Sequence, residues 1–128
     1  MGSVGFYEND EGVCCDLLLK AFGSKQIQVI NLEHNELYEK FKEDVRFFYK
    51  NQMEIHQTVI ASIDEYVRQK YQSDDHSLEL MKIYTFHDVE REFGLLFDWR
   101  EDPEHGIGVR INKDGVVIKI GPADIAFL

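Results

Sequence analysis

Basic residues, cysteines and long apolar runs are all scarce in this 128-residue chain, and each shortage removes a class of protein. Its 14 Lys and Arg face 24 Asp and Glu, for a formal charge of −10. A surface of that sign repels a phosphate backbone or anionic lipid unless a basic patch stands apart from the acids. None does, because the cations are interleaved with acids, as in Lys40-Phe41-Lys42-Glu43-Asp44. Nucleic acid and membrane are therefore not expected as partners, and a basic protein is the partner class the charge favours. The two cysteines, Cys14 and Cys15, are sequence neighbours. Neighbours on a strand point to opposite faces and do not bridge each other, so a reducing, cytoplasmic setting is expected. No apolar run approaches a bilayer span, and Met1-Gly2-Ser3-Val4-Gly5 has neither the basic region nor the apolar core of an export signal.

What is present is enough for one domain over residues 1–128, with a core that needs no disulfide. Residues 13–20 are apolar, 26–32 alternate through Ile27 and Val29, and Phe22-Gly23-Ser24-Lys25 between them reads as a turn, so an N-terminal hairpin is predicted. Asn35 is a predicted helix cap, with Glu36 and Glu39 suited to the positive end of the dipole. Leu37, Phe41, Val45 and Phe48 then recur at helical spacing, as do Val59, Ile60, Ile63, Tyr66 and Val67. Asn51-Gln52 interrupts them, and residues 35–71 read either as an antiparallel pair of helices or as one bent helix. Ser73 to Ser77 reads as a loop, and a strand begins at Leu78 and Leu80. Phe93, Leu95, Phe97 and Trp99 share one face of a second strand. Residues 107–111 and 116–120 flank Asn112-Lys113-Asp114-Gly115, a hairpin loop in which Gly115 takes positive φ. The expected architecture is α+β: an antiparallel sheet of the N-terminal hairpin and three or four C-terminal strands, with two helices packed on one face.

The chemistry concentrates in one stretch, where Asp98, Glu101, Asp102, Glu104 and His105 crowd together. A carboxylate beside a His can position it or raise its pKa. A metal site there is not expected, because no second His lies at i+2 to i+5 and Glu104 and His105 are adjacent on a non-helical segment. No Gly-x-Ser-x-Gly elbow occurs, and Cys14 and Cys15 in an apolar run read as inert core thiols. Gly106-x-Gly108 precedes a strand rather than a helix, so it marks a close backbone approach and not a phosphate turn. No catalytic, cofactor or metal residues are assigned. The candidate interaction or cleft residues are Trp99, Glu101, Asp102, Glu104, His105 and Asp124, although an aromatic stripe at period two is more often the core face of a sheet.

Phe97-Asp98-Trp99, then Asp102-Pro103-Glu104-His105-Gly106-Ile107-Gly108-Val109, Gly115-Val116-Val117 and the Gly121-Pro122-Ala123-Asp124 tail resemble a bacterial domain family of unknown function. Its members end in a Trp-Asp-x-Glu-His-Gly-Leu-Gly-Val strand, a hairpin and a Val-Gly-x-x-Asp tail. The hairpin around Phe22-Gly23 and the helical section ending between Tyr66 and Tyr71 are similar as well. This chain departs from the pattern in placing Arg100-Glu101 between Trp99 and Asp102, which lengthens the turn. The family carries no activity to transfer. By size, charge and setting the chain is also similar to bacterial immunity proteins, which implies a non-enzymatic domain that neutralises a basic toxin. The contacts expected for that role are Asp74, Asp75, Glu101, Asp102 and Glu104. The competing expectations are an enzyme pairing His105 with Glu104 or Asp124, and an accessory homodimer joined through the edge strands of the terminal hairpin.

Overall fold

The computed structural model describes residues 5–33, 36, 38–73, 77–86 and 92–128. Its elements run β1 (Phe6–Asn9), β2 (Gly12–Leu18), β3 (Gln26–Leu32), α1 (Glu39–Lys50), α2 (Gln52–Tyr71), β4 (Leu78–Phe86), β5 (Phe93–Trp99), β6 (Ile107–Ile111), β7 (Val117–Gly121) and a 3-10 turn over Ala123–Ala126. The strands form one seven-stranded sheet in simple sequence order. Every neighbouring pair is antiparallel except β3 and β4, which run parallel. The fold class is α+β as expected, but the sheet is mixed and larger than a hairpin plus three or four strands.

Two features account for that correction. Parallel neighbours need a crossover, and the helical section supplies it by carrying the chain from the end of β3 back to the start of β4. The additional strand, β1, has little apolar signal: Tyr7, Glu8 and Asn9 are exposed. It is held by a tight turn in which the Asn9 side-chain oxygen accepts from the Glu11 and Gly12 amides at 2.8 and 3.3 Å.

The helical section is one interrupted rod and not an antiparallel pair. The Asn51 amide still donates to Phe47 O at 3.0 Å, and Ile55 N–H donates to Asn51 O at 3.0 Å, so the helical bonding bridges the break. Asn51 itself departs from helical geometry, with φ −104° and ψ 14°. The expected cap at Asn35, like Leu37, lies outside the described residues; α1 begins after Tyr38 in extended conformation. The rod ends in an αL cap, in which left-handed Gln72 at φ 55° donates its amide to Arg68 O at 3.1 Å and the Ser73 amide donates to Val67 O at 3.3 Å.

One sheet face carries the main core. Phe41, Val45 and Phe48 of α1 and Ile55, Val59, Ile63 and Val67 of α2 pack onto Val13, Cys15, Leu17, Val29, Leu95, Phe97, Val109 and other inward residues of the strands. Each fully buried Leu, Ile, Val or Phe contributes roughly 1.5–3 kcal/mol relative to exposure, which explains why free Cys14 and Cys15 need not be bridged. In β4 the register shifts between Leu80 and Lys82. That bulge lets Leu80 and Ile83, an odd number of residues apart, enter the same core.

Candidate functional site

The opposite sheet face is where charged residues and a cleft meet. Its centre is closed by the C-terminal segment, which lies on strands made bare by glycine. A Cβ on Gly108 would fall 2.7 Å from Pro122 O and 2.8 Å from Ala126 N, so only glycine admits the 3-10 turn this close to β6. Phe127 packs on Tyr84 with ring centroids 5.5 Å apart. Arg110 anchors the end of the segment: its guanidinium donates to Leu128 O at 2.5 Å and to Glu92 at 2.7 Å, and stacks over Phe86 at 4.1 Å. The Gly106-x-Gly108 spacing is thus a close backbone approach, as its lack of a following helix implied.

Beside this segment a cleft of about 290 Å³ opens between β4, β5 and the 102–106 turn. Met81, Leu96, Pro103 and Ala123 give it aliphatic walls, and Lys82, Asp98, Glu104 and His105 supply its polar groups. The charges are not balanced within it. Lys82 is turned away to Glu11, 2.8 Å distant. Asp98 stands directly across the ladder from Glu79, a like-charge cross-strand pair that costs stability. Glu79 is relieved by an ion pair with Lys25. Asp98 and Glu104 are both exposed and have no hydrogen-bond or ion-pair partner among the described residues.

The turn that brings His105 to the cleft is built around Asp102. Asp102 N–H donates to Trp99 O at 3.1 Å, and Gly106 N–H donates to Asp102 O at 2.9 Å, so two successive turns carry the chain from Trp99 to Gly106. The Asp102 carboxylate accepts from the His105 amide at 3.3 Å and lies 3.0 and 3.2 Å from His105 Nδ1. Tyr71 O–H approaches the same carboxylate at 3.4 Å from the end of α2. The hydrogen bond and charge of Asp102 push the His105 pKa above its ordinary value, and the His105 bond holds the Asp102 carboxyl below its own. The His105 carbonyl accepts from Ala123 N–H at 2.9 Å, tying the turn to the C-terminal segment.

The expected site residues therefore divide. Glu104 and His105 line the cleft, while Asp102 stands behind the imidazole as its orienting partner. Trp99 is 1 % exposed in the core on the other sheet face, edge-on to Tyr71 at 4.9 Å, and does not meet His105 in a cleft. This is the commoner fate of an aromatic at period two. Glu101 accepts from Ser73 Oγ at 2.6 Å, and Asp124 is an exposed residue of the 3-10 turn whose carbonyl accepts from the Phe127 and Leu128 amides. Asp74 and Asp75 lie outside the described residues. His105 has Asp102 as its carboxylate partner, in place of the expected Glu104 or Asp124.

Met81, Lys82 and Leu96 are cleft residues that sequence reasoning did not select, and Asp98, part of the acidic cluster in the sequence, was not among the candidate contacts. Only Asp98 carried a signal, as the charged position between Phe97 and Trp99 on the strand. Both thiols are buried; burial raises the pKa of Cys14 and pushes that of Cys15 up to about 12, so neither is a ready nucleophile. Among the described residues no group of three His, Cys, Asp or Glu is placed to hold a metal ion, and no helix is long and apolar enough to cross a membrane. Neither a family model, nor a curated protein, nor a solved structure matches this chain.

Proposed function

We propose that this protein is a non-enzymatic binding domain that captures a basic protein through the cleft-bearing sheet face. An immunity-type neutraliser of a basic toxin, working in the cytoplasm of a bacterium, is its most concrete form. The observation that carries the reading is the pair Asp98 and Glu104: two exposed carboxylates, unpaired among the described residues, on a cleft with aliphatic walls. Asp98 faces Glu79 directly across the ladder, an unfavourable like-charge placement that a cationic side chain from a partner offsets. The formal charge of −10 adds long-range attraction, which acts mainly on association rate and specificity.

The test is calorimetric titration with a basic protein encoded beside this chain's gene, at about 50 and about 300 mM salt, where screening lengths differ by more than twofold. Binding weakens at the higher salt, and the double variant Asp98→Asn, Glu104→Gln binds at least about tenfold more weakly, the equivalent of ~1.4 kcal/mol. Salt-insensitive binding, or binding untouched by the double variant, sinks the reading.

A second reading is acid/base chemistry at His105, favoured by the Asp102 contact that orients the ring. It requires that His105→Ala abolish an activity while the chain stays folded. A folded variant with no lost activity leaves the binding role alone.

A further inference from the structure

We propose that neutral His105 is the third acceptor of a guanidinium seat formed with Asp98 and Glu104, and that protonation of its imidazole releases the basic partner. The inference rests on the binding role proposed above and names the side chain that is read. Asp102 engages Nδ1, so the neutral ring carries its proton there and leaves the Nε2 lone pair free beside the cleft. An arginine offers five N–H donors in a planar fork and no acceptor. Two carboxylates and a neutral imidazole are all acceptors, and Met81 and Leu96 offer an apolar bed for the aliphatic stem. Lys82, the cation at the cleft, is held by Glu11 and does not compete for the carboxylates.

Protonation reverses one of the three contacts, turning an acceptor into a donor and setting a positive charge beside the guanidinium. The described groups around the imidazole are Asp102 and Glu104 of its own turn, Asp98 of β5, Lys82 of β4, and Lys70 and Tyr71 of α2. Three carboxylates, Asp102 hydrogen-bonded to the ring, against two lysines favour the protonated ring, so the switch operates above the ordinary imidazole range.

The experiment follows amide shifts by NMR while N-acetyl-arginine amide is added at pH 6.0 and pH 8.5, for the whole chain and for His105→Gln and Asp102→Asn. Saturable shifts centred on Asp98, Glu104, Gly106 and Ala123 are expected. The dissociation constant rises about fivefold at the lower pH, as expected for a like charge brought near a solvent-exposed cation. His105→Gln flattens that dependence, and Asp102→Asn moves its midpoint to lower pH. An unchanged pH dependence in His105→Gln overturns the switch while leaving the carboxylate seat. Absence of saturable shifts at either pH overturns the seat itself; if the basic neighbouring protein still binds, the general binding role survives, and if it does not, that role falls as well.

Discussion

Gly94 lies directly beneath Ala126, so close that a Cβ built on the glycine would fall 1.7 Å from the Ala126 carbonyl oxygen and 2.6 Å from its carbonyl carbon. The obstacle is backbone, which no rotamer change relieves. Gly94→Ala must therefore lift the 3-10 turn from the sheet, with an expected loss of about 2–3 kcal/mol by urea unfolding, at the upper end of ordinary overpacking. Gly121→Ala is a useful contrast, since its Cβ would meet the Ile125 side chain at 2.9 Å and that side chain can turn. A smaller loss is expected there, and equal losses in the two variants would show that the C-terminal segment is not seated as described.

The Asp102 and His105 pair makes stability depend on pH with a definite sign. His105 has a raised folded pKa, so its contribution is complete below the ordinary 6.5 and is lost as pH rises through the folded value. Asp102 has a lowered one, so its contribution is present above the ordinary 3.8 and is lost as pH falls through the folded value. The stability gap between the parent chain and Asp102→Asn should therefore be widest between pH 3.8 and 6.5 and narrow on both sides. Unfolding midpoints measured across this range check it; a gap that grows above neutral pH contradicts the assignment.

Neither cysteine should react while the chain is folded. Cys14 and Cys15 are both 0 % exposed, and burial disfavours both thiolates. Mass spectrometry after iodoacetamide treatment at pH 8 should show an unmodified chain in buffer and two additions in concentrated urea. Rapid labelling in buffer would mean that β2 opens readily.

Gln72 terminates α2 at φ 55°, a conformation that glycine adopts without the Cβ clash. Gln72→Gly should raise stability by about 0.5–1 kcal/mol, visible as a higher unfolding midpoint with an unchanged slope. A fall in the midpoint would show that the Gln72 side chain contributes more than its backbone strain costs.

Legibility in the sequence followed the range of the interactions. The stripe Phe93, Leu95, Phe97 and Trp99 was readable because a strand's alternation is local, and the same holds for the helical faces at Phe41, Val45 and Phe48 and at Val59, Ile63 and Val67. The hairpin loop was readable from Asn112 and Gly115: the Asn112 side-chain oxygen accepts from the Asp114 and Val116 amides at 2.9 and 3.1 Å, and Gly115 has φ 77°. In β4 alternation was a poor guide, since the bulge at Met81 changes which parity faces the core. β1 was missed because an exposed edge strand needs no apolar stripe.

The amino-acid sequence by itself determined the periodic faces, the turns that require Asn or Gly and the acidic balance, because each depends on residues a few positions apart or on simple counts. Only the tertiary structure decided that β3 and β4 run parallel, that Trp99 is buried in the core while His105 lines an exposed cleft, and that Asp98 joins Glu104 at that cleft. Those relations depend on which strands become neighbours and in what register. That choice is made by packing the helical rod and the C-terminal segment against a whole sheet, and no local run of residues encodes it.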